Sequence, residues 1–148
     1  MTYRPHFGAR QTLRASATAI STSFDSSPTE VLVQSWNQVT LLCTLSLATA
    51  TSVEIEVDFA SPAQGPNGAE IAPVAADWFT RVYTDTAAAT ASTGIMVVPT
   101  RKIQFSLVAS GSYEIPIPVM ARYMRVRAKT TGGPGATTLS IIGVQGLA

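Results

Sequence analysis

Ser52–Phe59 is the segment that most narrows what this chain can fold into. Val53, Ile55, Val57 and Phe59 alternate with Glu54, Glu56 and Asp58. A period of two sends successive side chains to opposite faces of a pleated ribbon, so this pattern reads as a strand with one apolar face and one polar, solvated face. The preceding run repeats it, with Val39, Leu41, Cys43, Leu45 and Leu47 on one face and Thr40, Leu42, Thr44 and Ser46 on the other.

Further strand-like runs follow the same logic. Thr29 to Trp36 is rich in β-formers, and Asp77 to Thr84 carries Trp78, Phe79, Val82 and Tyr83. Ile95 to Pro99 and Lys102 to Val108 come next, the latter with Ile103, Phe105 and Leu107 on one side. Tyr113–Pro118 alternates but contains Pro116 and Pro118, which lack a backbone donor and fit only a sheet edge or bulge. Arg122–Lys129 and Ala136–Val144 close the series around the turn Gly132-Gly133-Pro134-Gly135. The stretch 86–93 is small and polar and reads as a loop, with room for a helical turn at Ala87-Ala88-Ala89.

No amphipathic helix longer than a turn or two interrupts this run of strands and breakers. The expectation is an all-β, antiparallel β-sandwich or jelly roll of about eight strands. The expected division is an extended N-terminal arm over 1–14, followed by a single sandwich domain over 15–148. The arm is aperiodic and mixes Tyr3 and Phe7 with Arg4, Arg10 and Arg14. Aromatic rings are poorly placed in water, so docking of this segment on a neighbour is the expectation. At 148 residues the chain has the length of one domain and needs no metal or disulfide staple.

Charge is scarce: 13% of residues against 46% hydrophobic, with a net charge of +1. Usual domains carry about 25%. Ser, Thr and Ala must therefore cover much of the surface, which suits a protein that packs against neighbours. A near-zero net charge gives no ground for nucleic-acid binding. The charges are unevenly placed, however. Eight acids lie between Asp25 and Asp85 with Arg81 as the one base, whereas Arg122, Arg125, Arg127 and Lys129 crowd one later strand. Either strands pair these charges inside the chain, or acidic and basic faces meet in an oligomer. Arg125 and Arg127, which share a face with Tyr123, are candidate partner-binding residues on the second reading. No secretory signal opens the chain, and no uninterrupted apolar stretch is long enough for a membrane helix.

Reactive constellations are not apparent. His6 is the one histidine and sits in the arm, a poor base for chemistry that needs fixed geometry. Cys43 belongs to an apolar strand face and reads as a buried hydrophobe. Glu54, Glu56 and Asp58 stand about 7 Å apart on one face, but without the apolar pocket a glycosidase acid requires or the loop carbonyls of a calcium cage. No catalytic residue, cofactor or metal site is expected, and the chain reads as a non-enzyme.

The closing segment, Tyr113-Glu114-Ile115-Pro116-Ile117-Pro118, Ala121-Arg122-Tyr123-Met124-Arg125-Val126-Arg127-Ala128, the Gly-rich turn and Ala136-Thr137-Thr138-Leu139-Ser140-Ile141, resembles the last strands of small β-sandwich and jelly-roll proteins of tailed-bacteriophage virions. It is more loosely similar to the closing strands of discoidin-like carbohydrate-binding modules. The resemblance covers about a quarter of the chain. Its phage form implies a capsid decoration (cement) protein in the virion, assembled in the host cytoplasm as a homotrimer. The partners would be the major capsid protein or other virion subunits, gripped by an arm through Tyr3, Arg4, Phe7, Arg10 and Arg14. A tail, neck or baseplate component of the same fold is the alternative within virions. A carbohydrate-binding module is the alternative outside them, although Trp36 and Trp78 lie inside strand patterns and are expected in the core.

Overall fold

A computed structural model describes residues 9–62, 65–69, 71–80, 82–84, 90–92, 95–97 and 100–146. The expected all-β sandwich is what the chain forms. One sheet, here sheet A, has the strand order β1-β13-β3-β11 and consists of Arg10–Arg14, Thr138–Gly146, Gln38–Ser46 and Gly111–Pro118. The other, sheet B, has the order β10-β4-β12-β2, from Gln104–Leu107, Ser52–Ala60, Tyr123–Thr131 and Glu30–Leu32. A short strand β5, Trp78–Thr80, pairs Asp58–Ala60 and so continues along the β4 edge that β10 occupies at Val53–Glu56. Between β5 and β10 the backbone forms two further antiparallel pairs. β6 (Val82–Thr84) pairs β9 (Thr100–Lys102), and β7 (Thr90–Ser92) pairs β8 (Ile95–Val97).

The two sheets close on each other through the alternating apolar positions. Val39, Leu41, Cys43 and Leu45 of β3, with Leu139 and Ile141 of β13, meet Val53, Ile55, Val57 and Phe59 of β4 and Met124, Val126 and Ala128 of β12. All of these are nearly sealed from solvent. Each fully buried aliphatic or aromatic side chain contributes about 1.5–3 kcal/mol by leaving water, which is why strand register is strongly fixed here.

β11 lies at the edge of sheet A and, among the described strands, pairs only with β3, with Pro116 opposite Thr40 and Pro118 opposite Gln38. The prolines therefore sit at an edge strand, as their missing donors require. The Gly-rich turn joins β12 to β13 as expected. Its Gly132 and Gly135 adopt φ of +82° and +49°, the left-handed region that glycine enters without steric cost.

Several expectations need correction. The arm ends earlier than residue 14, because Arg10–Arg14 is an edge strand paired to β13, with Leu13 2% exposed. Aperiodicity misled here: a β-bulge between Thr12 and Arg14 breaks the alternation and turns both Leu13 and Arg14 inward. The expected strand over 29–36 shrinks to Glu30–Leu32. Beyond it the chain turns, with Trp36 N–H donating to Val33 O, and buries Trp36 in the core. Asp77 belongs to a short 3-10 turn, Ala75–Asp77, before β5. Thr90–Ser92, placed in a loop by its composition, is strand β7.

The solvated face assigned to β4 is also wrong. Glu56 and Asp58 are 2% and 1% exposed. Alternation marks which face is charged but not what lies over it.

Candidate interaction surface

Arg125, Arg127 and Lys129 of β12 stand directly opposite Asp58, Glu56 and Glu54 of β4. This register makes a ladder of opposite charges across the outer face of sheet B. Arg125 Nε donates to Asp58 Oδ2 at 2.9 Å, and Arg127 Nε lies 2.7 Å from the same oxygen. Arg127 Nη2 also donates to Glu56 Oε1. At the outer rung Lys129 Nζ lies 3.1 Å from Glu54 Oε2, and Gln104 Nε2 donates to that oxygen at 2.9 Å.

Aromatic rings lie over the cations. The Arg125 guanidinium is 4.4 Å from the centre of the Trp78 ring; Arg127 and Lys129 lie 5.2 Å and 4.8 Å from that of Phe24. Such stacking favours a cation over the negative face of the ring. Of the two arrangements left open by the charge distribution, the cross-strand one is realised within the chain. Arg125 and Arg127, singled out as partner-binding residues, have their charge engaged by β4. Trp78 is half-buried against Arg125, not a core residue, whereas Trp36 takes the expected core position.

Arg14, expected in the arm as a partner contact, is 4% exposed and works inside the fold. Its Nε donates to Asp25 Oδ2 at 3.1 Å, Nη1 to Leu139 O at 2.8 Å, and Nη2 to Ala19 O at 3.0 Å. Asp25 in turn accepts from Ala128 N at 3.0 Å, while Asp25 N donates to Ala128 O. One buried guanidinium thus ties β1, β13 and the 15–29 connection to the free edge of β12. Sequence reading missed Asp25 and Phe24, because no periodic pattern surrounds either residue.

Tyr3, Arg4, Phe7 and His6 lie outside the described residues. Arg10 opens β1 and is exposed. Cys43 is buried on the inner face of β3, and burial pushes its thiol up to about 11, so it stays protonated at neutral pH. Among the described residues, no group of three or more His, Cys, Asp or Glu stands close enough to hold a metal ion.

The outer face of sheet A has a different character. Two of its rows run across all four strands in register. Thr12, Ile142, Leu42 and Glu114 form one row, and Arg10, Val144, Thr40 and Pro116 the next. Ser140, Thr44 and Ser112 make a third, beside Thr138 and Ser46. Hydroxyls and aliphatic groups fill this face, and its charged groups are Glu114 on one edge strand and Arg10 on the other. Thr44, Ser46, Ser112 and Thr138 are exposed; Leu42, Ile142 and Val144 are half-buried. The sequence carried this signal as the hydroxyl side of the β3 alternation.

No family model, curated protein or solved structure matches this chain.

Proposed function

We propose that this chain is a structural, non-catalytic component of a bacteriophage particle, a capsid decoration protein that binds the assembled coat lattice and stabilises it as an oligomer. The observation that carries this reading is the neutral outer face of sheet A. A sheet face of hydroxyl and aliphatic groups loses little hydration when covered, so neighbours can pack on it without desolvating charge. The facing charges of β4 and β12 in sheet B are engaged with each other, which leaves that side fewer free groups with which to steer a charged ligand.

The mechanism is mass action. A protein that binds only the assembled lattice adds its binding free energy to the assembled state at every site it fills. Specific interfaces of this kind bury more than about 1,000 Å². The neutral face supplies contact area between copies within the oligomer, and the N-terminal residues Tyr3, Arg4 and Phe7 supply an aromatic and basic grip on a coat subunit. The resemblance of the closing strands to phage virion proteins supports the same assignment.

Quantitative mass spectrometry of purified virions tests the proposal. A copy number in proportion to the coat subunits is expected. A copy number matching a tail, neck or baseplate ring would move the protein to those structures, and its absence from virions would end the virion reading. The carbohydrate-binding alternative is weakened by the tryptophans: Trp36 is in the core, and Arg125 takes one face of the half-buried Trp78 ring.

A further inference from the structure

The described acids and bases of this chain are mostly engaged: Arg14 with Asp25, Arg125 and Arg127 with Asp58 and Glu56, Lys129 with Glu54. Glu30, Glu114 and Arg10 differ: all three are exposed, and none makes a hydrogen bond or ion pair with another described residue. Glu30 lies on β2 of sheet B, whereas Glu114 and Arg10 share the outer face of sheet A. They belong to the opposite edge strands of sheet A, β11 and β1, three strand spacings or about 14 Å apart, too far to meet within one molecule. Their rows are adjacent, since Glu114 shares a row with Thr12, two residues from Arg10.

We infer that the outer face of sheet A pairs with the same face of a second copy of this chain, about a two-fold axis running roughly along the strands. Rotation about that axis exchanges the sheet's edges. It lays β1 of one protomer over β11 of the other and brings Arg10 within side-chain reach of the partner copy's Glu114, twice per interface. An axis across the strands would instead bring Glu114 towards its own symmetry mate, and like charges oppose that arrangement.

Area supports a pair of this kind. Four strands spaced about 4.8 Å apart and up to nine residues long give a face of roughly 500–600 Å² per copy. Two copies together bury about 1,000–1,200 Å², the lower end of specific interfaces, so the association should be reversible and micromolar. Small hydroxyl residues around Leu42, Ile142 and Val144 let two such faces approach to the usual separation of about 10 Å. The inference rests on the proposed function only in taking this face as a contact face, and names the neighbour that covers it.

Sedimentation equilibrium of the full chain, with no virion present, tests it. The expected result is a concentration-dependent species of twice the 15.6 kDa chain mass. Glu114→Arg and Arg10→Glu each place two like-charge contacts in the interface and should weaken association by about tenfold or more. The double exchange, Arg10→Glu with Glu114→Arg, restores opposite charges and should recover the pair. Both positions are exposed, so circular dichroism of the variants should match the parent. A strict monomer, a species of three times the chain mass, or a dimer indifferent to these reversals would overturn the inference. Because the measurement contains no virion, its failure would leave the copy-number test of the proposed function standing.

Discussion

Asp58 is 1% exposed and receives two guanidinium groups, whereas Glu54, four residues earlier on the same face, keeps 23% of its side chain in solvent. The chemistry of the two pairings is alike; burial separates their energetic consequences. Removing one member of a fully buried pair strands the other charge and costs about 3–5 kcal/mol. The arginines here remain 19% and 25% exposed, which screens part of that penalty. Asp58→Ala is therefore expected to lower the unfolding free energy in urea by about 2–3 kcal/mol. Glu54→Ala should cost less than about 1 kcal/mol, as exposed pairs do. Equal losses for both would mean that the ladder's inner rungs are not sealed. Cys43 offers a second check at this scale. Its thiol titrates near 11 in the fold against an ordinary 9.0, so the folded state holds the proton more tightly. That contribution is complete below pH 9 and is lost as pH rises towards 11. Native protein should resist thiol alkylation at neutral pH and react once unfolded; rapid native labelling would contradict the burial of Cys43.

At the scale of elements, the Gly-rich turn is held against the turn before β4. Thr49 Oγ1 donates to Gly133 O at 2.9 Å, and a Cβ added at Gly135 would sit 2.3 Å from that same hydroxyl oxygen. With φ already at +49°, Gly135→Ala combines backbone strain with a clash and should destabilise by about 1–3 kcal/mol, read as a lower urea midpoint. An unchanged midpoint would show that the turn can relax without cost. Strands whose apolar residues alternate without interruption were legible from sequence: β3, β4, β12 and β13, together with the edge position of β11 that its prolines demand. The misses share a cause. β1 hides behind a bulge, β2 ends where Trp36 folds under, and β7 has no side-chain pattern at all, since Thr90-Ala91-Ser92 could serve any structure. Tertiary pairing decides such segments, and a local pattern carries no trace of it.

For the whole molecule, the two sheets divide the surface into unlike halves. Sheet B spends its charges on its own strands beneath Phe24 and Trp78; sheet A turns a hydroxyl and aliphatic face outward. The sequence displayed the charge asymmetry that underlies this division, but not which pairs would form, because cross-strand register depends on the fold. Arg125 and Arg127 looked available for a partner and instead meet Asp58 and Glu56, while the outward positions of β3, β11 and β13 attracted no notice as a site. The central claim is that this neutral face is where other subunits pack. Its most direct test is the double variant Thr44→Lys with Thr138→Lys, which places two charges on exposed positions of β3 and β13. Incorporation of this variant into virions, measured beside its urea midpoint, should fall sharply while the midpoint shifts by less than about 0.5 kcal/mol equivalent. A variant that enters virions as fully as the parent would contradict the claim.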